Sequence, residues 1–225
     1  MKPTKIILHL IFLAIAAMVL IGTFTENPWM NYPVKPLIMA WIATYFLLMT
    51  RPQPYRWLVV LAFFFSWTGD ILLMLAWKSD LLFFAGVGSF FLSQLTYIQV
   101  FRQFGCSKGR GFILRNPLWL IPFLAYLAGI YFYLAPDIEG IMKPIIALYA
   151  ISLMSMAIAA LNRKGLVVAG SFSILFAGSL FFMLSDSLLA INKFSAPLPH
   201  SGFLVLSTYM LAQYLIMVGL VRSGK

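Results

Sequence analysis

Charge is what this sequence has least of. Only 10% of its 225 residues are Asp, Glu, Lys or Arg, against about a quarter in an ordinary soluble domain. Acids are the scarcest, with 6 carboxylates against 16 basic residues. Cysteine occurs once, at Cys106, so no internal disulfide can form and the count says little about redox compartment. Histidine occurs twice, at His9 and His200. Long polar stretches are missing altogether, which leaves no room for a soluble domain between the apolar segments. The net charge of +10 is spread singly over short loops. Without a basic stripe interleaved with aromatics, it gives no reason to expect nucleic acid as a partner.

What fills the chain instead is hydrocarbon. Hydrophobic residues make up 62% of the sequence, and the mean hydropathy is +0.94. Apolar blocks lie at about 6–24, 34–50, 57–77, 81–101, 118–134, 141–161, 166–191 and 202–221. At ~1.5 Å per residue each is long enough to cross a ~30 Å hydrocarbon layer. The first block follows a charged start in the manner of a signal peptide. It is long and no clear A-x-A site follows, so it reads as a first spanning helix. The expected fold is an all-α integral membrane protein, residues 1–225 forming one domain of eight spans.

Lysine and arginine orient the spans. Lys2, Lys5, Arg51, Arg56, Arg102, Lys108, Arg110, Arg115, Arg163, Lys164, Arg222 and Lys225 fall on one side, 12 in all. Lys35, Lys78, Lys143 and Lys193 fall on the other, 4 in all. Both termini are therefore expected in the cytoplasm, and a bacterial inner membrane is the expected location. The two histidines then lie at opposite faces. No zinc set can be assembled and no serine–histidine triad can reach the internal acids, so neither metal nor organic cofactor is called for.

Four of the six acids sit in outer loops; Asp70 and Asp186 do not. An ionised carboxylate in hydrocarbon costs several kcal/mol even on forgiving scales, and such residues mark functional sites by default. Asp70 precedes Lys78 by eight residues and Asp186 precedes Lys193 by seven. Both carboxyls are thus expected ~10–12 Å below the outer boundary, in one shared cavity. Two carboxyls there would share a proton, one serving as acid and the other as base. A purely structural pairing with Ser66, Ser185 or a tyrosine is the competing reading. The "WTGD" of 67–70 is similar to the G-x-G-D of intramembrane aspartyl proteases, except that Trp67 stands at the first glycine.

The halves echo one another. "KPLIMAW" (35–41) answers "KPIIALY" (143–149), and "GDILLML" (69–75) answers "SDSLLAI" (185–191). Span 4 carries Ser93, Gln94 and Tyr97, and span 8 carries Tyr209 and Gln213, at helical spacings that share a face. Two parallel four-helix repeats, about 1–105 and 112–225, are expected. They would bring spans 3 and 7 together and set Lys35 and Lys143 at the outer mouth. The proline after each lysine suits a helix first turn, whose free N–H groups together with the lysine suit a phosphate. Snorkelling lysines and plain caps are the simpler account.

The motifs "SWTGDILL", "FFAGVGSFFLSQLTYIQVF", "LFFMLSDSLLAI" and "STYMLAQYLIMVG", in this order over eight spans, resemble the YhhN family, which includes the mammalian TMEM86 lysoplasmalogenases. Span 4 differs from that family at Gln94, where a histidine would be expected at or beside the position. The resemblance implies hydrolysis of the vinyl ether of lysoplasmalogens to a fatty aldehyde and a glycerophospho-base, with Asp70 and Asp186 as the catalytic pair. It further implies a lysophospholipid substrate taken from the outer leaflet. Lys35, Lys143, Ser66, Gln94, Tyr97, Ser185, Tyr209 and Gln213 are the candidate substrate-binding residues. A proton-coupled transporter of a small amphiphile, or a lipid-binding scaffold without activity, would fit the same residues before that resemblance is weighed.

Overall fold

The computed structural model describes residues 3–224; Lys2 and Lys225 of the charge tally lie outside the described residues. Eight long helices account for most of the chain: α1 (Pro3–Phe24), α2 (Pro28–Met49), α3 (Arg56–Met74), α4 (Asp80–Gln103), α5 (Ile121–Leu134), α6 (Met142–Leu161), α7 (Ala169–Phe194) and α8 (Ser201–Ser223). Each matches one of the expected apolar blocks, and each is long and apolar enough to cross a membrane. Tight turns at Pro117–Leu120 and Ala135–Asp137 lengthen α5 to a span of 21 residues, Pro117–Asp137. The protein is a multi-pass membrane protein with an all-helical core.

The starts of two helices differ in an informative way. Helix α2 begins at Pro28, with Asn27 capping it by accepting a hydrogen bond from the Trp29 N–H at 3.0 Å. Pro33 and Pro36 therefore lie inside the helix rather than at its first turn. The expectation that Lys35 and Pro36 open α2 is corrected accordingly, because Asn27 caps the helix while Asn31, nearer Lys35, turns its side chain to the Thr23 hydroxyl. Prolines inside the span are tolerated in a packed membrane helix, and the Trp67 indole fastens α3 to α2 by donating to Pro36 O at 2.9 Å. Lys143 and Pro144, by contrast, do fall in the first turn of α6.

Burial separates a centre from a periphery. Half of the central window of α8 is buried, and 44% of those of α4 and α7, against 17% for α1 and 11% for α5. Helix α3 packs on α4, and α7 on α8, more extensively than any other pairs. The remaining neighbours are α1 with α2, α5 with α6, α2 with α3, α6 with α7, α4 with α6, α2 with α8, α1 with α8 and, over a short stretch, α5 with α7.

Small residues let the two central pairs close. A methyl group on Gly178 would meet Ile216 N at 2.8 Å and Ala212 O at 2.9 Å. One on Gly219 would meet Leu175 N at 2.9 Å, and the Ser171 hydroxyl donates to Gly219 O at 2.7 Å. The α3–α4 pair is built alike, with the Phe90 ring against Gly69 and the side chain of Leu73 against Gly86. Ser89 donates to Phe65 O at 2.7 Å and Ser93 to Ala62 O at 3.0 Å. Close backbone approach with hydroxyl-to-carbonyl bonds is how helices associate in lipid, where no hydrophobic force separates protein from solvent.

At the end that carries the termini, the buried Arg163 guanidinium donates to Phe101 O at 2.9 Å and to Phe104 O and Ser223 Oγ at 3.1 Å. It satisfies carbonyls at the end of α4 that the helix leaves free and ties α4, α6 and α8 together. Gly105 lies in the left-handed region at φ 66°, its α-carbon against Ser223 O. A Gly178→Val substitution is expected to wedge α7 from α8 and lower stability by about 1–3 kcal/mol, read as earlier thermal unfolding in detergent. Gly88→Ala, where a Cβ has nothing within 4 Å, is expected to be neutral.

Candidate active site

Both internal aspartates are buried, at 4% and 8% exposure for Asp70 and Asp186. Helix α3 carries Asp70 one turn from its end, and α7 carries Asp186 two turns from its end. The two are close enough to feel each other's charge through space. They are held, however, by two different sets of polar groups rather than by each other.

Asp70 accepts a hydrogen bond from the Tyr209 hydroxyl on α8 at 2.8 Å. Behind Tyr209 stands Gln213, one turn further along α8, whose amide donates to Ser66 Oγ at 2.9 Å and lies 3.4 Å from the Tyr209 oxygen. The Gln213 carbonyl accepts from the Tyr97 hydroxyl at 2.5 Å, and Ser66 is 2.7 Å from Ser93. Three helices thus meet in one hydrogen-bonded cluster, every member of which is buried. Lys35 on α2 is half-buried, and its ammonium interacts with the Asp70 carboxyl through space.

Asp186 is held from the other direction. Its Oδ2 accepts from the Gln94 amide at 3.0 Å and from the Tyr149 hydroxyl at 2.5 Å. The Gln94 carbonyl accepts in turn from Ser152, which also bonds to Tyr149 O at 2.9 Å. Helices α4 and α6 therefore orient this carboxyl, and both donors converge on one oxygen. Asp186 also lines two cavities. One, of about 60 Å³, lies between α4, α6 and α7 and is bounded by Phe83, Phe84, Met142, Ile145 and Tyr149. The second, of about 40 Å³, lies between α5, α6 and α7 and includes Tyr126, Ile146, Tyr149 and Ser187. Asp70 lines neither.

Aromatic rings pack beside the Asp70 set: Phe90 and Phe182 lie edge-to-face with each other and with Tyr209, their centroids 5.6–6.2 Å apart. Of the expected site residues, Ser66, Gln94, Tyr97, Tyr209 and Gln213 join the aspartates in these two sets. Ser185 does not; its hydroxyl donates to Val205 O at 3.0 Å and helps to fasten α7 to α8. Lys143 is exposed at the start of α6, beside Met142 at the rim of the first cavity. Tyr149, Ser152, Tyr126 and Ser187 were not anticipated. Only the i, i+3 spacing of Tyr149 and Ser152 in "ALYAISL" marks a shared polar face.

No group of three or more His, Cys, Asp or Glu side chains that could hold a metal occurs among the described residues. Cys106 lies in the loop after α4, where burial pushes its thiol up from the ordinary range and its sulfur contacts Phe101 O at 3.4 Å. It offers no thiolate to either aspartate. What the two sets can do is proton chemistry, with a carboxyl oriented by two donors and open to apolar space.

Residues 30–220 match the model of the YhhN family. The chain belongs to that family. Among curated relatives, it is 32% identical to the human protein named lysoplasmalogenase TMEM86B over 87% of this chain and 77% of that one. It is 31% identical to human lysoplasmalogenase TMEM86A over 78% of this chain and 69% of that one. To pig lysoplasmalogenase TMEM86B it is 31% identical over 64% of this chain, a match that spans 56% of the pig protein. No solved structure matches.

Replacing Gln213 by Leu strands the buried Tyr97 hydroxyl and removes a partner from Ser66. Stability is expected to fall by about 1–3 kcal/mol, measured as thermal unfolding of purified protein. Ser185→Ala is expected to cost less, since it leaves no buried side-chain group unpaired.

Proposed function

We propose that this protein is a membrane-embedded ether hydrolase that cleaves the vinyl ether of lysoplasmalogens, with Asp186 as the proton donor. The observation that carries the reading is the placement of Asp186, oriented by Tyr149 and Gln94 and opening on apolar cavities between helices, in a chain whose family relatives are named lysoplasmalogenases. A single-chain lipid is a substrate suited to such an opening.

The chemistry asks little else. Protonation of the β-carbon of R–CH=CH–O–R′ gives an oxocarbenium ion. Water adds to the carbon beside the oxygen and loses a proton, and the hemiacetal collapses to R–CH₂–CHO and HO–R′. Asp186 gives the first proton from the oxygen that Tyr149 and Gln94 leave free. Tyr149 and Gln94 fix the carboxyl's direction and bear on the anion that remains, and Asp70 supplies negative charge across the site as the cation forms. No step needs a metal or an organic cofactor.

Position along α6 places the headgroup. Lys143 precedes Tyr149 by six residues, about 9 Å along the helix, which suits the reach from a lysolipid phosphate to its ether. With Pro144 at the first turn, Lys143 and the free N–H groups there hold the phosphate, while Lys35 faces Asp70 instead. The 12-to-4 distribution of basic residues puts this mouth at the outer leaflet and both termini in the cytoplasm of a bacterial cell.

Purified protein supplied with alkenyl lysophosphatidylethanolamine is expected to release fatty aldehyde. Asp186→Asn should lower turnover by ~10²–10⁴-fold, and Tyr149→Phe by about 10–100-fold, the worth of one hydrogen bond to a charged group. Near-normal turnover in Asp186→Asn overturns the assignment. Uptake of intact lipid into liposomes under a pH gradient, without aldehyde, would make the protein a transporter instead.

A further inference from the structure

Beyond the reacting carboxyl, the molecule holds a larger opening that the chemistry above leaves unused. A groove of about 410 Å³ runs between α5 and α7, lined by Trp119, Pro122, Phe123, Phe176, Leu180 and Met183. Its wall is apolar throughout, and it opens sideways toward lipid. Tyr126 lines both this groove and the second cavity at Asp186. Its hydroxyl bonds to Ser187 and lies 3.4 Å from Met183 O. One phenol thus stands at the junction between the reacting carboxyl and the groove.

We infer that this groove seats the aliphatic chain of the lysolipid and sets the chain length the enzyme accepts. The inference rests on the proposed vinyl ether hydrolysis, and it adds the subsite for the part of the substrate that does not react. Three observations favour a chain in this position. The groove adjoins the second Asp186 cavity, with Tyr126 lining both. Its length is right: Phe176 precedes Asp186 by ten residues, about 15 Å along α7 toward the cytoplasmic end, long enough for an extended aliphatic chain. Its far end is closed by Trp119, the aromatic that starts the α5 span and is half-exposed, a residue type that sits at membrane interfaces. A lipid with its phosphate at Lys143 and its ether at Asp186 would lay its chain along this wall in the same direction of travel.

Other openings lack one of these features. The groove between α4 and α6, lined by Phe84, Gly88, Phe91, Met142 and Leu148, stays on the Lys143 side of Tyr149 and fits the entry path. The groove formed by Leu124, Leu127, Tyr131, Ala147 and Ile151 meets the second Asp186 cavity at Tyr131 but is smaller, about 250 Å³.

The test is a chain-length profile. Alkenyl lysophosphatidylethanolamines with chains of about 10 to 18 carbons are given to the wild type, to Leu180→Trp and to Leu124→Trp. Leu180→Trp fills the groove midway, whereas Leu124→Trp alters the smaller groove between α5 and α6. Leu180→Trp is expected to keep short-chain turnover within about twofold and to lose long-chain turnover at least tenfold, while Leu124→Trp keeps the wild-type profile. An equal loss at all lengths, or an unchanged profile, overturns the inference.

A second measurement separates this from failure of the hydrolase reading itself. A non-hydrolysable alkyl lysophosphatidylethanolamine carrying a diazirine at the chain end should label peptides spanning 117–126 and 176–184, and Leu180→Trp should abolish that label. Aldehyde release with labelling elsewhere overturns the chain seat alone. Labelling here with no aldehyde from any alkenyl lipid overturns the hydrolysis and leaves a lipid-binding groove.

Discussion

Inside a membrane every polar group must find its partner in the protein, because lipid supplies none. That constraint organises the centre of this molecule. Tyr97, Gln213, Ser66 and Ser93 satisfy one another at the meeting of α3, α4 and α8, and Asp70 and Asp186 are each bound from a different side of that meeting point. A hydrogen bond of this kind adds only about 0.6 kcal/mol on average in a membrane protein. Leaving one partner buried and alone costs more, about 1–3 kcal/mol. The cluster therefore does more to forbid other helix arrangements than to stabilise this one. The glycines and serines of the α3–α4 and α7–α8 pairs follow from it, since only closely approaching backbones bring such short polar side chains within reach.

Two acids in the same membrane core are given different company. Asp70 and Asp186 are 116 residues apart, and so are the hydrogen-bonded Tyr97 and Gln213. Asp70 has one tyrosine, and it faces the cluster. Asp186 has an amide, a different tyrosine and two cavities. On the proposed reading, unequal surroundings are what an acid and its charged counterpart require.

Much of this was legible in the residues. Eight spans follow from block length alone, and two acids in otherwise uncharged blocks single themselves out. Helical spacing put Gln94 beside Tyr97 and Tyr209 beside Gln213. What could not be read was which side of each helix meets which neighbour. Ser185 adjoins Asp186 in sequence yet points to α8, because successive helical residues are about 100° apart. Tyr149 and Tyr126 looked like ordinary aromatic bulk in spans rich in Phe and Tyr; their role depends on α6 and α5 packing beside α7. Pro36 misled for a different reason. A Lys-Pro pair suggests a helix start only when no better cap precedes it, and Asn27 does.

The unequal surroundings also bear on water. Hydrolysis of a vinyl ether consumes one water molecule, yet an opening wide enough for a lipid chain is apolar and excludes it. On the proposed reading the two reactants therefore need separate approaches. The lipid arrives through the gap between α4 and α6 and past Tyr149, where the walls are Phe, Met, Ile and Leu. On that same reading the second approach is the Asp70 side, whose carboxylate bears on the incoming water and the cation without touching the lipid.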